Sequence, residues 1–173
     1  MNEESIGLVH DLRAALSIPE TTKMPDVTLI TLRHPGTFRC QMQLGIELTA
    51  HGAISPRERE LAVLRVALLC GAPFEWVQHV GHARRLGLTD AEIQRVIEGS
   101  SAAGWTQHDR AVVRAVEELI ADKCMSDETW ETLSKSWNEM QLLEMPMLVG
   151  CYFMLALQQN SVRIPTEGGL PSG

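Results

Sequence analysis

Along most of the chain, apolar residues recur three and four positions apart between helix start and stop signals. Ser55-Pro56-Arg57-Glu58 combines a serine N-cap, a proline at the first helical position and a glutamate that can reach back, which is a capping box. The helix it opens runs through "LAVLRVALLC", Leu61 to Cys70, apolar on every side except at Arg65. Such a helix should be buried all round, and Gly71 can close it. The next helix, "PFEWVQHVGHARR", enters through Pro73 and should stop at Gly87. "TDAE" at Thr89 to Glu92 is a second capping box, for a helix that ends on Gly99. Further helices are expected at about 107–123, 127–138 and 141–160. The N-terminal third is less regular: a helix near 5–16, a proline-containing connection, then "VTLITLRHP" and "TFRCQMQLGIELTAHG" as a short and a long helix. No run alternates as a strand would, so the expected fold is an all-α helical bundle.

Composition narrows the picture. A chain of 173 residues with 45% hydrophobic and 21% charged residues suits one globular domain. Its expected parts are an N-terminal helix and connection (1–23), a main domain (24–160) and a proline- and glycine-rich tail (161–173) lying extended over the surface or across a neighbouring subunit. A net charge of -7 offers no basic footprint for a phosphate backbone, so nucleic acid is not an expected partner. The most apolar run, Met145 to Leu157, contains Pro146 and Gly150 and is shorter than the ~20 residues of a bilayer span, so it is expected to be a core helix and no membrane partner is expected. The acidic N-terminus lacks a signal-type n-region, and a cytoplasmic location is the expectation. Cys40, Cys70, Cys124 and Cys151 contain no CxxC pair and are expected to be reduced core thiols.

The helix from Pro73 raises a chemical question. At ~100° per residue, Glu75, His79 and His82 fall within about 60° of one another, with Leu86 among them and Trp76, Val80 and Ala83 on the adjacent arc. Gln78, Arg84 and Arg85 take the opposite, wet side. One buried histidine beside a glutamate is ordinarily a core-edge pair, but three titratable groups in a row each need a partner to offset desolvation. A polar pocket explains them more simply, and buried carboxylate and imidazole groups suit general acid–base chemistry. Metal binding is the alternative. The order E-x3-H-x2-H departs from HExxH, and a zinc or iron site would need another ligand, such as Glu60.

Taken in order, the "HP" before a long helix, "SPREREL", "FEW..H" and "GLTDAEI" closely resemble the carboxymuconolactone decarboxylase family, whose fold is shared with the alkyl hydroperoxidase D (AhpD-like) group. The resemblance spans about residues 24–160. The hydroperoxidase branch carries a Glu, a CxxC and a His; anchored on His79, the two cysteine positions here hold Ala72 and Glu75, and the upstream Glu is Glu60. The resemblance therefore implies the branch without dithiol redox chemistry. It implies His79 as proton donor, Glu75 as the group that orients it, and Glu60 as second base or substrate anchor. His82, where the family does not require a histidine, is a candidate substrate contact together with Trp76, Tyr152 and Cys70. Arg65 is either half of a buried ion pair with Glu60 or another acid, or a contact for a substrate carboxylate.

The function these features imply is a cofactor-independent lyase or isomerase acting on a small organic acid or lactone. The alternatives are an alkyl hydroperoxidase D-like antioxidant protein, a metal-binding protein and a non-catalytic helical oligomer. The resemblance also implies a homo-oligomer, as a trimer or hexamer.

Overall fold

The computed structural model describes residues 3–15, 17–24, 26–166 and 168–171, and every regular element among them is helical, with no strand. Contacts group the chain into two compact units, Met1–His51 and Gly52–Gly173. The division falls inside the segment expected to be one domain from 24 to 160.

The first unit contains α1 (Glu3–Ala15), α2 (Asp26–Thr31) and α3 (Pro35–Ile46), followed by a π-helical turn over Glu47–His51. Leu8, Leu32 and Phe38 are buried together, with Val9, Leu12 and Met42 packed against them. The "HP" pair has a local cause: His34 is the N-cap of α3, its Nδ1 accepting from the Thr37 N–H at 3.3 Å, and Pro35 fills the first helical position.

The second unit is built around α4 (Pro56–Leu69), which packs on α5 (Pro73–Arg85), α6 (Asp90–Glu98), α7 (Gln107–Ala121) and α9 (Glu139–Val162). The remaining helix, α8 (Asp127–Ser134), packs on α7 and α9. Both expected capping boxes form, at Ser55–Glu58 and Thr89–Glu92. The glycine stops form as well. Gly71 (φ +59°) and Gly87 (φ +89°) each close a Schellman motif, with Ala72 N–H on Ala67 O at 2.8 Å and Leu88 N–H on Ala83 O at 3.0 Å. These two stops turn the chain so that α5 and α6 both pack on α4.

With four helices around it, α4 buries Leu61, Ala62, Val63, Leu64, Val66 and Ala67, as its pattern requires; it emerges only at its ends, at Pro56 and Leu69. Where α8 and α9 meet, the structure corrects the sequence. The first stops at Ser134 rather than 138, because the Ser136 and Trp137 N–H groups both turn back to Leu133 O. The second starts at Glu139 rather than 141, on a capping box between Asn138 and Gln141. The Met145–Leu157 run is not wholly core either. Leu142, Met145, Leu148, Val149, Tyr152 and Ala156 are buried, but Met140, Leu143, Met147, Met154 and Leu157 are exposed. By length and composition α9 is long and apolar enough to cross a membrane.

Two further expectations need correction. Cys151 is buried, but Cys40 and Cys124 are exposed and Cys70 is half-buried, so the four free thiols are not all core residues. Leu86 lies outside, at 43% exposure, because the helix has already reached its last turn there. In the tail, Gly168 lies against the Val77 side chain of α5.

The two leucines give a direct check on where the core lies. Leu64→Ala should lower the unfolding free energy by about 3 kcal/mol in chemical denaturation, and Leu86→Ala by under about 0.5 kcal/mol.

Candidate active site

Three helices bring the polar stripe together. Glu60 projects from the second turn of α4, Glu75 and His79 lie one turn apart on α5, and Tyr152 and Gln159 lie two turns apart on α9. Glu60, Glu75 and His79 are all buried, at 2%, 7% and 8% exposure. His79 Nδ1 is 2.7 Å from Glu60 Oε2, and His79 Nε2 is 3.3 Å from Glu75 Oε2. A neutral imidazole has one N–H, so it could donate to only one of these carboxylates. The arrangement thus favours imidazolium. Burial works to lower the His79 pKa, but the hydrogen bonds to Glu60 and then Glu75, with their charges, outweigh it and push it up to about 9.

The surrounding groups fix this pair of carboxylates. Gln159 Nε2 donates to Glu75 Oε1, and Arg59 Nε lies 3.6 Å from Glu60 Oε1. Gln159 Oε1 is buried with no hydrogen-bond partner among the described residues, an acceptor that costs about 1–3 kcal/mol unless a donor meets it. Tyr152 packs edge-on against the His79 ring, with centroids 5.1 Å apart. Burial, together with the charges of Glu75 and Glu60, raises the Tyr152 phenol well above its usual range and keeps it protonated.

His82 is the correction at this site. It was expected on the inner face but is exposed, its ring centroid 5.1 Å from that of His79. Burial of part of the ring and the nearby His79 charge lower its pKa. A cation could find ligands here, since Glu60, His79 and His82 offer ligand atoms within 4.8 Å of one another.

The other expected residues divide. Trp76 is buried on α5 and Cys70 is half-buried at the end of α4. Arg65 is committed elsewhere. It pairs with Glu117 at 2.8 Å and donates to Val96 O and Ile97 O, where it caps the C-terminus of α6. The cation beside the cluster is Arg59, which the sequence reading did not single out, and Gln159 was missed too. Tyr152 and Gln159 are seven apart, so a polar residue in the buried register of an apolar helix was the available signal.

The sequence profile of the Carboxymuconolactone decarboxylase family matches residues 35–118, which include Glu60, Glu75 and His79. The match spans just under half of the chain, which is similar to that family over this segment. No curated protein matches it in sequence. Among solved structures, it is similar to an uncharacterized peroxidase-related protein with the alkylhydroperoxidase AhpD core from Ralstonia eutropha JMP134, with a TM-score of 0.79 and 14% identity over 96% of this chain and 87% of that one. It is also similar to an Agrobacterium tumefaciens protein of unknown function, suggested to be the antioxidant defence protein AhpD, with a TM-score of 0.67 and 19% identity over 82% of this chain and 97% of that one. At these identities the likeness establishes the AhpD-like fold.

The two thiols nearest the cluster, Cys70 and Cys151, are held in their protonated form. No CxxC occurs, burial raises the Cys70 thiol, and burial with the Glu75 charge pushes Cys151 up to about 11.

A pKa raised on folding stabilises the protein fully below the unfolded value of ~6.5, and that contribution is lost as pH rises through about 9. The His79 ring signal should therefore titrate near 9 by NMR, and at least a unit lower in Glu60→Gln. Between pH 7 and pH 10 the wild type should lose more stability than His79→Gln.

Proposed function

We propose that the chain is a lyase or isomerase of the carboxymuconolactone decarboxylase type, using general acid–base chemistry on a small organic acid or lactone of the kind produced in aromatic compound catabolism. The observation that carries this reading is the unequal grip on His79. Glu60 holds Nδ1 at 2.7 Å, while Glu75 meets Nε2 at 3.3 Å, so the Nε2 proton is the one more easily given up.

The chemistry follows from that asymmetry. When the carbon–carboxylate bond of a lactone acid breaks, CO2 leaves and the electron pair spreads toward the lactone carbonyl. His79 then delivers its Nε2 proton to carbon, and solvent returns a proton to the imidazole. Glu60 anchors the ring throughout, and Glu75, held by Gln159, stabilises the imidazolium before transfer. Arg59 offsets the negative charge that two carboxylates would present to an acidic substrate. His82, at the exposed side, contacts the incoming molecule. No cofactor is assigned to this reaction, and its setting is the cytoplasm.

Purified protein should release CO2 from a carboxymuconolactone, or exchange carbon-bound hydrogen for deuterium in a related lactone acid, followed by NMR in D2O. His79→Gln should lower the rate by about 10²–10⁴-fold. Consumption of an alkyl hydroperoxide with a dithiol donor, and no reaction with lactones, would replace this reading with the antioxidant one. Metal dependence of the lactone reaction would turn Glu60, His79 and His82 into a ligand set.

We infer further that the protein acts as a homo-oligomer, a trimer or hexamer. Met140, Leu143, Met147, Met154 and Leu157 stand exposed at coiled-coil-like spacing, with Gly150 completing the series and no charged residue from Met145 to Val162. Leu143→Glu combined with Leu157→Glu should shift the sedimentation coefficient toward a smaller species without loss of helical content.

A further inference from the structure

A second cluster of chemistry-bearing side chains sits apart from His79. Glu58 and Glu60 are two residues apart on α4, which turns their side chains ~200° from each other around the helix. Glu60 serves His79; Glu58 meets a different set of residues. Its Oε1 accepts from the Trp137 indole N–H at 3.0 Å and from His108 Nε2, and its Oε2 accepts from the Ser55 N–H at 3.2 Å. His108, near the start of α7, then has Nδ1 2.9 Å from the hydroxyl of Ser136. The His108 ring lies edge-on to Trp137, with centroids 5.6 Å apart.

The proton positions in this chain are determined by its ends. A carboxylate accepts only, so the His108 proton sits on Nε2 and faces Glu58. Nδ1 is then a lone-pair acceptor, and the Ser136 hydroxyl, 2.9 Å from it against 3.4 Å from Leu133 O, donates to it. Although burial of Glu58 favours its neutral form, the bonds from Ser55, Trp137 and His108 outweigh that and hold its pKa below the usual carboxylate value. Carboxylate, imidazole and serine hydroxyl thus follow one another in the order that activates a serine nucleophile, a constellation recognised by geometry and not by chain order.

Ser136 is exposed, in the turn between α8 and α9, and a reagent can reach it. A purely structural tie between α4, α7 and this turn is already supplied by the Trp137 and His108 bonds to Glu58. The serine adds nothing that this tie requires. The helix α9, 24 residues long, begins with its cap at Asn138, two positions beyond Ser136. Its first N–H groups lie outside the intrahelical ladder and carry the positive end of the helix dipole. The N–H groups of Ser136 and Trp137 themselves go to Leu133 O, at 3.0 and 2.8 Å, and are not available to a developing oxyanion.

We propose that Glu58, His108 and Ser136 form a second, nucleophilic site that takes acyl groups from small carboxylic esters with good leaving groups, such as aryl esters. Ser136 Oγ adds to the ester carbonyl as its proton passes to His108 Nδ1. The carbon–oxygen bond to the leaving group breaks, and the departing alcohol takes that proton. Water, giving a proton to His108, then adds to the acyl-serine, releasing the acid and restoring the hydroxyl. No redox partner is needed, and Glu58 remains ionised throughout.

The test uses the whole chain with a fluorophosphonate probe and with p-nitrophenyl acetate, the adduct being located by peptide mass spectrometry. The expected result is labelling of Ser136, abolished in Ser136→Ala, reduced at least tenfold in rate in His108→Gln, and unchanged in His79→Gln. The last arm separates this site from the one built on His79. Failure of both reagents to modify Ser136 in the folded wild type, or equal rates in wild type and His108→Gln, would overturn the proposal. Ser136→Ala alters an exposed side chain, so it keeps the comparison valid even where His108→Gln folds poorly.

Discussion

A helix packed on four others has almost no solvent face, so each polar group it carries must find its partner on a neighbouring helix. In α4 this constraint organises the second unit. Arg57 reaches Asp109 on α7 and Glu92 on α6, at 2.7 and 2.6 Å; Arg65 reaches Glu117 on α7 and the carbonyl end of α6. Glu60 meets His79 on α5, and Glu58 meets His108 on α7 and Trp137 beyond α8. The apolar residues between them supply the burial, while these polar contacts fix which helix faces which. Chemistry and architecture share the same side chains here. A buried carboxylate that holds a neighbouring helix also alters the protonation of whatever that helix presents to it.

Much of this could be read along the chain because its cause is local. Capping boxes and stop glycines act within one turn, so Ser55, Thr89, Gly71 and Gly87 announced the boundaries of α4, α5 and α6. Glu60, Glu75 and His79 were also legible, two of them by helical geometry and all three by resemblance. The sequence did not reveal how deep each would lie. His82 shares an arc with His79, yet burial depends on which helix covers that arc, and nothing near residue 82 encodes α9. Arg65, which interrupts an apolar run, was read as half of an ion pair with Glu60 or another acid, or as a substrate contact, and the acid it meets is Glu117. The cation beside Glu60 is Arg59, since the direction of a long side chain is decided by tertiary partners. The turn between α8 and α9 was expected a few residues too late for a related reason. Its stop involves no glycine, only two N–H groups returning to a single carbonyl.

The fold is shared with proteins described as peroxidase-related or as antioxidant defence proteins, while this chain has no CxxC. The resemblance implies that Glu75 stands where the hydroperoxidase branch carries a thiol, and a carboxylate there changes what the scaffold has to hold steady. A redox pair needs two sulfurs that approach and separate. An imidazole between two carboxylates needs the opposite, a rigid frame in which only a proton moves.

Gly99 shows how tightly such a frame constrains its own composition. Its backbone adopts φ +94°, and a Cβ there would lie 2.6 Å from Arg65 Nη2 and 2.7 Å from Glu117 Oε1. The space a side chain would occupy already belongs to an ion pair between two other helices. Residues 65, 99 and 117 are therefore coupled in their free energies. The cost of enlarging residue 99 depends on whether the arginine is present, and losses measured one at a time will not sum.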